Sequence, residues 1–315
     1  MTEPASLFED RITRFGRRLD CYIPSFKRYQ AGDFDNRHSV KFVGVSLTGT
    51  YCEVQCEHCK AKLLESMVSA DTPERLLELA EQLKTRGAEG LLISGGSLSD
   101  CTVPFEPFLP ILAELTERLG LAIAVHASVT TPRLARLLAE AGVASAMVDL
   151  VGDDETAREV LHLPKAGVLW ESLDNLLEAG LRVNPHIVMG LAWGKFRGEY
   201  AALEQLGHRE VNALVVVGLR PLKGTPMEKA PVPPLEELVE FLSAARQEKL
   251  ARPLILGCAR PPGRLEYALE RAAIDVGAVG VAYPAEETLN YARQLGLEPR
   301  ALEACCAVPL GGEEL

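Results

Sequence analysis

The chain has 315 residues, 47% of them hydrophobic and 24% charged, and a formal net charge of -11. That length can bury one large core, and α/β barrels reach it as a single domain, so one domain with an ordinary globular interior is expected. The acidic balance argues against nucleic acid, whose binders gather basic patches to displace counterions, and no apolar run is long enough to cross a bilayer.

With no signal-like opening, a cytoplasmic setting is expected, in which the eight cysteines serve as thiols or metal ligands. Residues 1–40 stand apart from the rest of the chain. A basic helix-like segment over 11–18 leads into Cys21-Tyr22-Ile23-Pro24-Ser25-Phe26 and the loop-forming Gly32-Asp33-Phe34-Asp35-Asn36. Together they read as an N-terminal lid or extension over 1–40. From residue 41 a rhythm begins. Apolar runs of β type fall at 41–47, 90–94, 121–125, 144–150, 183–189, 213–217, 253–256 and 279–282. Helical patterns fill the intervals at 73–86, 108–119, 132–141, 171–179, 235–249, 264–276 and 286–295. The first of these carries its own boundaries, with Asp71 or Thr72 as N-cap and Gly87 as the stop. Alternating strand and helix make a parallel α/β sheet. Eight repeats predict a complete or nearly complete (β/α)8 TIM-like barrel over 41–300, with a C-terminal tail over 301–315 carrying the pair Cys305-Cys306. A six-unit open barrel with the last two units appended is the variant within the same class.

Directly after the first barrel strand, the run TGTYCEVQCEHC over 48–59 sets Cys52, Cys56 and Cys59 in a CxxxCxxC spacing. Thiolates are the ligands of iron–sulfur clusters, and an ordinary cluster takes four. Three of them on a four-iron cube leave one iron open, as a catalytic metal keeps a position free where a structural one is closed. Zinc is the plainer alternative. Its four-cysteine sites come as two CxxC knuckles, however, and this sequence has no second knuckle.

Barrel enzymes set their working groups at the carboxyl ends of strands. The second barrel strand ends in Ser94-Gly95-Gly96-Ser97, where glycines let backbone approach a ligand, although such a motif alone is an ordinary turn. His126 ends the third strand, Asp149 the fourth, and His186 lies in the fifth. A lone His in an apolar strand is commonly a hydrogen-bonded core residue, whereas a buried carboxylate needs a partner such as a ribose diol. Arg158 and Lys165 are candidate carboxylate holders or members of a solvated helix face. Among the other cysteines, Cys258 follows the seventh strand, at the expected mouth. A returning tail would bring Cys305 and Cys306 to it, with Cys21 joining from the N-terminal segment. These four are candidate ligands of a second, auxiliary cluster that leaves Cys101 outside; the alternative is that they are small buried hydrophobes. No catalytic acid, base or nucleophile stands out.

The CxxxCxxC run resembles the signature of the radical SAM superfamily. The resemblance implies a [4Fe-4S] cluster on Cys52, Cys56 and Cys59 whose free iron chelates S-adenosylmethionine, and reductive cleavage to a 5′-deoxyadenosyl radical that takes a substrate hydrogen. It implies that Ser94-Gly95-Gly96 grips the methionine end. Ser97 stands where the superfamily usually has Glu, so the amino group would bond mainly to backbone carbonyls. Gly190, opening Gly190-Leu191-Ala192-Trp193-Gly194, resembles the motif that approaches adenine. Over most of its length the chain also resembles a branch that includes one subunit of the two-component lipoyl synthase. That likeness lies in Ser46-Leu47-Thr48-Gly49, Pro24-Ser25-Phe26, Ser94-Gly95-Gly96, Pro185-His186-Ile187-Val188, Leu256-Gly257-Cys258-Ala259-Arg260-Pro261 and Cys305-Cys306. It implies sulfur insertion into a protein-bound octanoyl chain, with an auxiliary cluster as sulfur source. The implied partners are a paralogous radical SAM subunit, an octanoylated lipoyl domain or H protein, and an electron donor. Radical SAM enzymes of other chemistry, such as biotin-synthase-like sulfur inserters, methylases or C–C lyases, share the strong motifs. A non-enzymatic iron–sulfur protein is the second alternative.

Overall fold

The computed structural model describes residues 4–207, 209–249 and 251–306. Its strands are β1 (Arg18–Tyr22), β2 (Gln30–Ala31), β3 (Phe34–Asp35), β4 (Phe42–Ser46), β5 (Val68–Ser69), β6 (Gly90–Ser94), β7 (Ala122–Ala127), β8 (Ser145–Leu150), β9 (Arg182–Met189), β10 (Leu214–Gly218), β11 (Leu254–Leu256), β12 (Gly280–Ala282) and β13 (Glu298–Leu302). Its α-helices are α1 (Pro4–Phe15), α2 (Pro73–Thr85), α3 (Leu109–Glu117), α4 (Pro132–Glu140), α5 (Asp154–Glu159), α6 (Gly167–Glu178), α7 (Glu199–Leu206), α8 (Leu235–Glu248), α9 (Arg264–Asp275) and α10 (Glu286–Gln294).

Eleven strands form one sheet in the order β13-β1-β12-β11-β10-β9-β8-β7-β6-β4-β5. The eight expected barrel strands are β4 and β6 to β12, and they lie consecutively in it, all parallel. Parallel strands are covered on both faces, so they read as unbroken apolar runs. β4, β10, β11 and β12 are indeed buried at every residue. The helices between them start where side chains supply the missing acceptors. Thr72 and Thr131 accept from the Arg75 and Leu134 N–H groups at 3.3 and 3.2 Å, with Pro73 and Pro132 at the first helical positions. Each helix then buries one stripe, Leu76, Ala80 and Leu83 in α2, and Leu134, Ala135 and Leu138 in α4. The sheet curls so that the segments following β1 and β13 come beside β4. Ser25 N–H donates to Phe42 O at 2.9 Å across the seam, and Lys41 Nζ lies 3.6 Å from Glu303 Oε1.

The first forty residues depart from the expected lid. β1 is a wall strand, paired with β12 on one side and β13 on the other, while α1 packs on α8 and α9 in the outer layer. Two charged residues hid it. Asp20 is buried within β1, its charge met by Arg18 Nε at 2.5 Å, which no apolar pattern announces. β13 likewise carries the wall into the first residues of the expected tail, to Leu302, and its Pro299 suits an edge strand, which has no neighbour to receive a hydrogen bond there. The remainder of that tail, 307–315, lies outside the described residues. α5 and α7 were not expected; six and eight residues are too few for a helical period to show.

Arg260 ties the loop after β11 to the rest. Its fully buried guanidinium donates to Gly257 O and Ala282 O at 2.8 and 2.6 Å and pairs with Glu270 of α9 at 2.9 Å. Glu270 in turn accepts from Thr288 and from Ala285 N–H at the start of α10. Removing one member of a buried pair strands the other without solvent. Arg260→Ala is therefore expected to lower the unfolding free energy by about 3–5 kcal/mol in a urea titration. The exposed neighbour substitution Arg264→Ala should stay within about 0.5 kcal/mol of the parent.

Candidate active site

The cysteine loop begins where β4 ends, and β4 runs level with β6, Ser46 opposite Ser94. This register brings the two following loops into contact. Leu47 N–H donates to Ser94 O at 2.8 Å, Gly96 N–H to Thr48 Oγ1 at 2.7 Å, and Glu53 N–H to Ser97 O at 2.8 Å. A Cβ on Gly96 would sit 2.0 Å from Tyr51 O and 2.5 Å from Cys52 Cβ, so only glycine allows the approach. The far side of the loop rests on residues 160–162. Glu57 N–H donates to Val160 O at 2.8 Å, and Cys56 Sγ lies 3.5 Å from Leu161 O. The His162 ring bridges Val54 O at 2.7 Å and Glu57 Oε1 at 2.9 Å, while Lys60 Nζ reaches the same carboxylate at 2.8 Å.

Behind this loop opens a cavity of about 220 Å³. Cys52, Cys56 and Cys59 line it together with Ser94, Gly95, Gly96, Ser97, His126 and Asp149, which the sequence had scattered over 98 positions, 52 to 149. A hydrogen bond with the Cys56 thiol, reinforced by the His58 ring, brings the Cys59 thiol down to about 4 against the pull of burial. Cys56, the partner that keeps its proton in that bond, is pushed up, and burial adds to the effect. Beyond the thiols, His126 Nε2 lies 3.4 Å from Asp149 Oδ1. Burial disfavours both charges, yet each sustains the other: the imidazole is raised by the carboxylate and the carboxylate is held well below its usual range by the imidazole. His186 stacks on His126 with ring centroids 5.5 Å apart, and burial, then the His126 charge, bring it down to about 4.

Three other expected residues lie elsewhere. Arg158, in α5, and Lys165, in the loop before α6, are exposed and pair with Asp154 and Glu171 at 3.7 and 3.1 Å. Gly190 is likewise not among the cavity's lining; its N–H donates to the buried Glu199 Oε1 at 2.8 Å, and Pro233 packs over it.

The remaining cysteines divide. Cys305 and Cys306 are buried inside the wall, Cys305 Sγ 3.9 Å from Met147 Sδ and Cys306 Sγ 3.9 Å from His186 Nε2. Cys258 sits on the rim, crowded enough that its thiol is raised by burial and by the nearby Cys305. Cys306 is raised by its hydrogen bond with Cys305, by burial, and by both neighbouring sulfurs. Cys21 does not join them. Strand alternation turns it the other way, toward Arg293 and Glu270 of the helix layer, while the next residue, Tyr22, faces Cys305 and Cys306. Cys101 is buried in a loop that the expectation had already set aside.

Sequence reasoning missed His58, which lines the cavity between two ligand candidates with its Nδ1 buried and unpartnered. Its place inside CxxxCxxC was the available signal. Thr48 and Glu57 were missed too, since their roles depend on partners 48 and 105 positions away. Among the described residues no three His, Cys, Asp or Glu side chains converge on a single ion position.

Residues 46–193 match the Radical SAM superfamily. The match begins at the last residue of β4 and takes in the cysteine loop, the Ser94–Ser97 turn, His126, Asp149 and Gly190. No curated protein matches the chain. Among solved structures, its fold is similar to methylornithine synthase (PylB), at 16% identity and a TM-score of 0.61, covering 94% of this chain and 88% of that one. It is similar to HydG, a maturase of the [FeFe]-hydrogenase, at 15% identity and 0.66, covering 94% and 68%. SuiB of Streptococcus suis, at 14% identity and 0.53, covers 72% of this chain and 51% of that one. At such identities the likeness concerns the fold. For the segment that matches this superfamily, Gly96→Ala is expected to weaken S-adenosylmethionine binding at least about tenfold, or 1.4 kcal/mol, in anaerobic equilibrium dialysis. Far-UV circular dichroism should meanwhile stay that of the parent.

Proposed function

We propose that this protein is a radical SAM enzyme that holds a [4Fe-4S] cluster on Cys52, Cys56 and Cys59 and uses it to insert sulfur into a protein-bound octanoyl chain, as one subunit of a lipoyl synthase. One observation carries the first part: the three thiols share a single cavity with the Ser94–Ser97 turn, His126 and Asp149. The residues suit the group. Cys59 is poised to lose its proton, His58 Nδ1 is buried without a partner beside it, and the glycines leave the backbone bare. When bound with S-adenosylmethionine, such a cluster supplies reductive cleavage to a 5′-deoxyadenosyl radical.

The chain's own residues do the rest. Ser94 Oγ donates to His126 O at 2.9 Å, which fixes the turn against β7, and the carbonyls of that turn are the acceptors for an ammonium. Asp149, kept ionised by His126, suits a ribose diol. Leu92, Val103 and Leu169 give the cavity an apolar lining, and a dry lining protects a radical from side reactions. SuiB has been solved with S-adenosylmethionine and with its precursor peptide SuiA, which supports a nucleoside cofactor and a polypeptide substrate for a related barrel.

The sulfur-inserting part is supported by Cys305 and Cys306, buried in the wall, together with Cys258 on the rim near them. A polynuclear iron–sulfur group on them would be a sulfur source beside the radical. Cys21, facing the helices, is left out of it. The partners of this reading are a paralogous radical SAM subunit, an octanoylated lipoyl domain or H protein, and an electron donor.

The test is direct. Anaerobically reduced protein given S-adenosylmethionine should release 5′-deoxyadenosine, and the Cys52→Ala, Cys56→Ala, Cys59→Ala triple variant should release none; no release by the parent would end the radical SAM reading. With an octanoylated lipoyl domain and the paralogous subunit, intact-protein mass spectrometry should show sulfur added to the acyl chain. Nucleoside release without sulfur transfer would leave a radical SAM enzyme of other chemistry.

A further inference from the structure

Three cysteines leave an iron–sulfur group one ligand short of the usual four. We infer that His186 supplies the missing ligand through Nε2, completing a three-sulfur, one-nitrogen set with Cys258, Cys305 and Cys306. The inference rests on the auxiliary-cluster reading of those cysteines.

The hydrogen bonds around the ring decide which nitrogen is free. His186 Nδ1 lies 3.1 Å from Asn184 O, and a carbonyl only accepts, so the ring proton belongs on Nδ1. Nε2 then carries the lone pair. That atom is 3.9 Å from Cys306 Sγ, its one polar contact among the described residues. In a two-iron group each iron takes two protein ligands, and two that share one tetrahedral iron, at about 2.3 Å for sulfur and 2.0 Å for nitrogen, stand roughly 3.5 Å apart, so Cys306 and His186 on one iron would have little distance to move. His186 is only 8% exposed, and without a metal the Cys306 thiol donates to its Nε2; loss of that thiol proton on metal binding would leave both the sulfur and Nε2 as donors on the same side.

Asn184 arranges both donors at once. Its carbonyl takes the Nδ1 proton, its fully buried side-chain Nδ2 donates to Cys306 O at 2.7 Å, and its Oδ1 is held by Asn212 Nδ2 at 3.0 Å. Ligating histidines are typically oriented this way, by a carbonyl or carboxylate on the other ring nitrogen. Binding is balanced without a proton from the ring: His186 coordinates as neutral imidazole, and the cysteines coordinate as thiolates.

The stack of His186 on His126 then gives the ligand a second meaning. His126 lines the cavity of the first cysteine triad, and His186 touches the second thiol set. One pair of rings separates the two centres.

The experiment uses the Cys52→Ala, Cys56→Ala, Cys59→Ala variant of the full chain, which retains only the second site. It is grown with 15N-histidine, reconstituted anaerobically with iron and sulfide, and reduced for hyperfine EPR spectroscopy. The expected result is bound iron with a histidine-nitrogen coupling that disappears in the added His186→Ala change. His186→Cys should retain iron, lose the coupling and titrate at a lower potential, since replacing nitrogen by sulfur favours the oxidised state; it also covers the case in which His186→Ala fails to fold. Iron without a nitrogen coupling, or a coupling untouched by substitution of His186, overturns the inference and leaves the auxiliary cluster standing. A triple variant that binds no iron at all overturns the auxiliary-cluster reading beneath it.

Discussion

The mouth of this barrel depends on two stretches of backbone touching, the Gly95-Gly96 turn after β6 and the residues leading into Cys52. Adjacent parallel strands in matched register deliver both loops to the same height, and three backbone-anchored hydrogen bonds close the contact. Each such bond contributes only about 1 kcal/mol net. The steric condition is stricter, because the space that a side chain at 96 would need is already filled by Tyr51 O and Cys52. The thiols reach the cavity because the strand pairing puts them there, and the residues around 160–162 brace the loop from behind.

Inside the wall, charge and sulfur are partitioned. Asp149 and His126 form a pair facing the first cavity, while His186, stacked behind, is neutral and belongs with Cys306. Burial alone would discharge all three groups. In the pair each partner favours the other's charged form, whereas the outer histidine is lowered by burial first and then by the neighbouring His126. The order from the cysteine loop inward is thus thiol, ion pair, neutral imidazole, thiol.

How much of this was legible in the sequence depends on what each element announces. β4 and β6 to β12 announce themselves because strands covered on both faces must be apolar throughout, as Leu214 to Val217 shows. The cysteine triad announces itself through spacing alone. β1 and β13 do not, because a buried Asp20 answered by Arg18 and an edge Pro299 look like loop. Arg158 and Lys165 were ambiguous in sequence because a charged side chain near a strand end looks the same whether it points inward or out; in this structure each is exposed and pairs with a neighbouring carboxylate. Cys21 and Tyr22 differ by one residue and face opposite layers, a distinction fixed only once β1 is known to be a strand. Asn184 could not be singled out at all, since its partners are 28 and 122 positions away.

The placement of β1 between β12 and β13 also bears on how the molecule comes into being. The wall's first strand in chain order has neighbours that emerge from the ribosome some 260 residues later, Tyr22 meeting Ala282 and then Leu302. Contacts of such long range are paid for in loop entropy before they return any stability, and they make folding slow. Throughout synthesis, Leu19 and Tyr22 therefore wait without the strands that will cover them. Since β13 pairs only with β1 among the described strands, and Cys305 and Cys306 follow it directly, the placing of the interior sulfurs depends on that long-range pairing.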